Sequence, residues 1–188
     1  AAARAAGANL LICHHGLSWG DSLKRITGLN YRKLSYLLEH DLALYASHLP
    51  LDAHPKYGNN AQIARALGLR GLKPFGTYHG MTIGWAGHLP RAESLTAFAR
   101  RAARAIGRES QIMAFGRKTV RTVGIVSGGA AEDVEQAAAA GLDVFLSGEP
   151  KLMAYHLAAE LGINAVFCGH YATETFGVRA LGALLQRR

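Results

Sequence analysis

From residue 119 onward, short apolar runs alternate with helix-forming stretches, and that rhythm confines the chain to an α/β fold. Residues 119–127 (TVRTVGIVS) are rich in β-branched side chains and end at Gly128-Gly129. A helix over 130–140 stops at Gly141, a strand covers 143–147, a helix over 150–161 stops at Gly162, and a strand covers 164–168. A last helix spans 173–186. Strands separated by helices of roughly 10–15 residues mean βαβ units and a mainly parallel sheet. Right-handed crossovers then place the helices on the sheet faces.

The earlier part of the chain repeats the rhythm more loosely. A strand over 9–13 leads through a Gly/Ser/Asp loop to a helix around 31–39, a strand over 42–46 and a helix over 59–67. Residues 73–88 carry glycine at 76, 80, 84 and 87 and read as an antiparallel pair; 93–106 is an alanine-rich amphipathic helix. The polar stretch 107–118 is the expected boundary. The sequence thus predicts two related α/β halves, 1–110 and 111–188, with mainly parallel sheets facing a cleft within one compact unit. Residues 1–7 read as a helix tail feeding a buried strand, so a strand–helix unit is expected ahead of them, leaving the first half truncated at its start.

At 188 residues, 49% hydrophobic and 18% charged, the composition is that of a globular domain and argues against disorder. No apolar run approaches a membrane span, and no secretory signal is visible. Two cysteines, Cys13 and Cys168, point to a reducing compartment and a cytoplasmic location rather than a disulfide scaffold.

Three short motifs carry the chemistry: His14-His15-Gly16, His48-Leu-Pro-Leu-Asp52, and His170-Tyr-Ala-Thr-Glu174. Each follows an apolar run that reads as a buried strand, and ligands in open α/β sheets collect at strand carboxyl ends. Five metal-competent groups, His14, His15, Asp52, His170 and Glu174, therefore look like one site. His170 and Glu174 are four apart and share a face on a helical turn, with Gly169 allowing a sharp turn off the strand. Adjacent His14 and His15 would point to opposite faces of a regular strand; a break at Gly16 lets both face one cavity, or lets each hold its own ion. Asp52 can bridge two ions, and His48 can ligate or orient Asp52. Imidazole and carboxylate donors suit zinc, iron, manganese, nickel or cobalt.

These stretches, HHGLSWG, LYASHLPLDAHPKYGNNAQIARALGL, the SGE at 147–149 and GHYATETFGVRAL, run along most of the chain. Together they resemble the GTP cyclohydrolase 1 type 2 homologue family, also called the NIF-three-like dinuclear metal proteins. The resemblance implies a pair of divalent ions held by His14, His15, Asp52, His170 and Glu174. It also implies a ring-shaped homohexamer with the metal sites facing its interior, and by its naming a nucleotide-like substrate.

A dinuclear centre points to metal-dependent hydrolysis, with Glu149 and His48 as candidate catalytic groups for proton movement. Glu149 can equally favour the dipole of the helix that follows. The rival class is a metal carrier or a ring-shaped adaptor binding protein. A net charge of +8, with Arg100, Arg101, Arg104, Arg108, Arg117, Lys118 and Arg121 close together, also keeps nucleic acid open as a partner. His54, His79, His88, Tyr45, Tyr171 and Thr173 are further candidates to line a pocket, Trp19 and Trp85 to pack at loops or an interface, and both cysteines read as buried apolar residues.

Overall fold

A computed structural model describes residues 1–18 and 22–187, which leaves Trp19 outside the described residues. Two compact units divide the chain, Ala1–Leu49 and Pro50–Arg188.

The first unit runs α1 (Ala2–Ala5), β1 (Leu10–Cys13), α2 (Gly28–Glu39) and β2 (Ala43–Ala46). β1 and β2 pair in parallel, from Leu10↔Ala43 to Cys13↔Ala46. The expectation of buried strands fails here: Leu10 is 47% exposed and Tyr45 57%. A two-stranded sheet is too narrow to bury itself, and α2 has no buried residue with which to cover it.

The second unit takes all but the first residue of α3 (Leu49–Ala53) and continues with α4 (Asn59–Ala66), β3 (Arg70–Tyr78), β4 (Met81–Ser94), α5 (Leu95–Ile106), β5 (Gln111–Ala114) and β6 (Thr119–Ile125). A 3-10 turn then leads to α6 (Val134–Ala139), β7 (Val144–Ser147), α7 (Leu152–Leu161), β8 (Asn164–Phe167), α8 (His170–Thr173) and α9 (Thr175–Leu185). Its six-stranded sheet has the order β3-β4-β6-β7-β8-β5.

The sheet is mixed, which corrects the expectation of a mainly parallel one. β6, β7 and β8 are mutually parallel, whereas β3–β4, β4–β6 and β5–β8 are antiparallel. The reason is local: His79-Gly80 closes β3 onto β4 as a tight hairpin, with His79 at φ 48° and Gly80 at φ 77°. Such a turn permits only antiparallel pairing. β5 lies in the polar stretch read as a boundary; pairing with β8, from Gln111↔Phe167 to Ala114↔Asn164, supplies its backbone partners. The chain divides into its two compact units at Leu49/Pro50, and within the second unit β4 and β6 pair across the stretch around residue 110, from Trp85↔Ile125 to Ser94↔Thr119.

Helix α5 follows from its sequence. Ser94 Oγ accepts from the Ala97 N–H at 3.2 Å, capping the first turn, and Gly107 at φ 80° ends the helix. Its stripe of Leu95, Phe98, Ala99, Ala102 and Ile106 is buried on the sheet with Val120, Val123, Val144 and Val166. β7 and β8 are buried along their whole length. Because β6, β7 and β8 run in one direction, their carboxyl ends deliver Ser127, Glu149 and His170 to the same edge of the sheet.

Candidate metal centre

In the first unit the donors sit just beyond the strands. β1 ends at Cys13, so His14 and His15 escape the alternation of a strand and their rings lie 4.8 Å apart. His48 follows β2, with ring centroids 5.0 Å from His14 and 4.6 Å from His15. One nitrogen from each of these three rings lies within 4.8 Å of the other two. Gly16 has an ordinary backbone; its role is space, since a Cβ there would lie 3.2 Å from Ala46 Cβ. His14 is buried, and its Nδ1–H donates to the Ser47 carbonyl at 2.9 Å. That bond fixes the tautomer and leaves the Nε2 lone pair as the donor to a cation. His48 thus shares a cluster with His14 and His15.

In the second unit Asp52 is buried in α3. Pro50 sits in the first turn of this helix, where its missing N–H costs nothing. Asp52 Oδ1 accepts from Asn59 Nδ2 at 2.8 Å and from Ser127 Oγ at 3.1 Å. Asn59 Oδ1 in turn accepts from the Gly177 N–H at 2.6 Å, and Asn60 Oδ1 from the Ser127 N–H at 2.7 Å. Asn59 and Asn60 are completely buried, and the approach of α4 to α3 requires Gly58, where a Cβ would meet the Leu51 and Asp52 carbonyl oxygens at 2.6 and 2.8 Å. This carboxylate is oriented by two side chains, Asn59 at the start of α4 and Ser127 beyond the end of β6. Sequence reading missed Asn59, Asn60 and Ser127; the Asn-Asn pair at a helix start destined for burial was the available signal.

His170 stands between two carboxylates. Its Nδ1–H donates to Glu149 Oε2 at 2.7 Å, and its Nε2 lies 3.1 Å from Glu174 Oε1. The first contact gives Glu149 a definite role as the group that orients the ring. In the neutral imidazole the second contact sets a lone pair against a carboxylate oxygen, which is repulsive unless a proton or a cation is shared between them. Two neighbouring ligands of one ion, each bonded at about 2.1 Å, would stand roughly 3 Å apart. The donor chemistry of Nε2 and Glu174 therefore fits a divalent cation.

Glycines keep this corner open. Gly128, at φ 71°, has Glu174 Oε1 where its Cβ would stand, and His170 Nε2 3.3 Å from that point. At Gly148 a Cβ would meet Thr173 Oγ1 at 2.6 Å, the Gly128 carbonyl at 2.7 Å and His170 Cα at 2.8 Å. Thr173 is buried; its Oγ1 accepts from the Gly128 N–H at 3.1 Å, tying the β6 strand end to α8. It is a brace, not a pocket wall.

The other candidates separate by geometry. His54 Nδ1 accepts from the Lys56 and Tyr57 N–H groups, both at 3.1 Å, and organises its own turn. Tyr171 is 84% exposed and His79 occupies the hairpin tip. Burial pushes the Cys168 thiol up to about 12 and raises that of Cys13, so both stay protonated at neutral pH. Within the basic cluster, Arg101 is paired with Glu93 at 2.5 Å and Arg117 approaches Asp143 at 3.8 Å.

The Duf34/NIF3 (NGG1p interacting factor 3) family model matches residues 1–188. The chain is 48% identical to a GTP cyclohydrolase 1 type 2 homolog of Deinococcus radiodurans, over 98% of this chain and 70% of that protein. Against the same-named protein of Archaeoglobus fulgidus it is 41% identical, over 100% of this chain and 74% of the relative. Among solved structures, protein ybgI, described as of unknown function, matches with a TM-score of 0.89 at 34% identity, covering 100% of this chain and 74% of that one. TTHA1606 from Thermus thermophilus matches with a TM-score of 0.85 at 38% identity, covering 100% of this chain and 73% of that one. With its whole length matched by the family model and close relatives of the same description, the chain belongs to the Duf34/NIF3 family.

Proposed function

We propose that this protein is a dinuclear metal protein acting as a metal-dependent hydrolase on a nucleotide-like substrate, its ions held by His14, His15, Asp52, His170 and Glu174. The observation that carries the reading is the Glu149–His170–Glu174 array, with one carboxylate 2.7 Å from Nδ1 and the other 3.1 Å from Nε2. A carboxylate on the outer nitrogen of a histidine raises its basicity and sets its direction, as in many metal sites. The imidazole cluster of the first unit and the bridging capacity of Asp52 supply the remaining donors. Bound there, divalent ions would supply Lewis acidity and a lowered pKa for water.

The chain's own groups divide the work. Ser127 and Asn59 hold Asp52 Oδ1, while Ser47 sets the tautomer of His14. Glu149 is more than half exposed beside His170 and can take a proton from solvent or substrate. The names of the relatives in Deinococcus radiodurans and Archaeoglobus fulgidus support a nucleotide-like substrate. A homohexameric ring completes the proposal on the strength of the family resemblance, and a cytoplasmic location on the reducing compartment that the two cysteines suggest.

The test is metal analysis of the chelated and reloaded protein, beside a screen of nucleotides and related cyclic amides for hydrolysis. Expected are uptake of two ions, turnover that chelation abolishes, and loss of both in Asp52→Ala with the circular dichroism spectrum retained. Metal uptake without turnover of any substrate would favour the carrier or adaptor instead. Turnover by Asp52→Ala with metal shown to be absent would overturn the mechanism.

A further inference from the structure

A cleft of about 600 Å³ opens in the second unit beside His170. Its floor is formed by the carboxyl ends of β7 and β8, at Gly148 and Phe167, and one wall by Arg108 to Gln111, between α5 and β5. The volume lies within the range of small-molecule sites, roughly 300–1,000 Å³.

Arg108 is the feature that defines its chemistry. The aliphatic stem of Arg108 lies against Gly169: a Cβ there would come within 3.2 Å of Arg108 Cγ and 3.9 Å of Cδ. Gly169 also needs its backbone freedom, at φ 89°, to turn the chain from β8 into α8. One glycine thus serves both the placing of His170 and the seating of Arg108. Among the described residues the guanidinium of Arg108 has no hydrogen bond or ion pair, unlike Arg101 and Arg117 of the same basic cluster. Arg108 lines the cleft, and a guanidinium carries its donors in a planar fork suited to an oxyanion.

We propose that this cleft binds a small organic oxyanion, with Arg108 holding its phosphate or carboxylate and the other end of the ligand lying against His170. The proposal rests on the metal-centre reading only for why a ligand's far end belongs at His170; the anion subsite stands on Arg108 and the cleft. Glu109 lines the same wall, and Gln111 adds an amide. These acceptors select a ligand that carries N–H or O–H donors as well as its anionic group. Glu149 is already bonded to His170 Nδ1, which moderates its repulsion of the anion.

Calorimetric titration of the chelator-stripped chain with phenyl phosphate, benzoate and phenol tests the inference apart from the metal. Both anions should bind more tightly than phenol. Arg108→Gln should weaken both by about tenfold, as expected for losing a charge-assisted hydrogen-bond pair, and leave phenol unchanged. Arg108→Lys, which keeps the charge but not the fork, should fall between. The larger loss of phosphate or of carboxylate identifies the preferred anion. A loss of less than about threefold for both anions in Arg108→Gln, or no anion binding by the unaltered chain, overturns the proposal. Unchanged thermal melting of the variant separates lost binding from lost fold. Arg108-dependent anion binding by a chain that takes up no metal would sink the metal centre and leave the cleft; metal uptake with Arg108-independent binding would do the reverse.

Discussion

Asp52 is a buried carboxylate whose direction is set by neighbours, and its test lies there. Ser127→Ala removes a hydroxyl that donates to Oδ1 at 3.1 Å. The expected cost is about 1 kcal/mol of stability, that of one buried hydrogen bond, together with a metal occupancy that falls more than the melting temperature does; metal analysis and thermal denaturation read the two. Asn59→Ala should cost more, about 2–3 kcal/mol, because the Gly177 N–H loses its acceptor as well. Asp133 is a different case. Burial raises its carboxyl pKa to about 6, against the hydrogen bond from Gln136 that lowers it. The unfolded chain releases this proton near 3.8 while the folded chain keeps it to about 6, so this group's contribution to stability falls as pH rises through that window and stays low above it. Asp133→Asn should therefore raise stability at pH 7 by about 1 kcal/mol, discounted because the site is partly exposed. The gain should vanish at pH 4, as melting curves at the two pH values would show.

At the scale of elements, α5 is the most self-contained prediction. Its Ser94 cap, apolar stripe and Gly107 stop are all local, and all three are legible in the sequence. Ser94→Ala should cost about 1 kcal/mol in chemical denaturation, with the α5 packing against β6 unchanged. Gly148 shows the opposite logic. Nothing local marks it, yet Thr173, Gly128 and His170 press on the position its Cβ would take. Gly148→Ala should destabilise by about 2–4 kcal/mol, because two of those contacts are backbone atoms that cannot step aside. The β3–β4 hairpin was anticipated from its glycines and formed as an antiparallel pair. β5 was not, because a four-residue edge strand in a polar stretch has no periodicity of its own and exists through β8.

For the whole molecule, the proposed ions should act as ligands of the native state. Divalent metal at about a hundred times its dissociation constant stabilises by roughly 2.7 kcal/mol, so chelation should lower the melting temperature and reloading should restore it. An unchanged transition would argue against binding by the folded form. Light scattering at micromolar concentration checks the proposed ring, and a monomer there would refute it. No helix among the described residues is long and apolar enough to cross a membrane.

The sequence by itself determined most of the strand–helix order, though not α3, β5 or α8, together with the helix stops at glycines and the three motifs that carry imidazoles and carboxylates. It did so because apolar periodicity, capping and turn chemistry act over a few residues. Family membership was legible for the same reason, in contiguous stretches such as GHYATE. Only the tertiary structure decided that the larger sheet is mixed and that the chain divides at Leu49/Pro50. It also decided that Glu149 meets His170, that Ser127 meets Asp52 and that Arg108 lies over Gly169. The first two pairs are 21 and 75 positions apart, and the third joins the end of α5 to the end of β8. Such contacts arise from strand order and from the space that glycines leave, which no local pattern encodes.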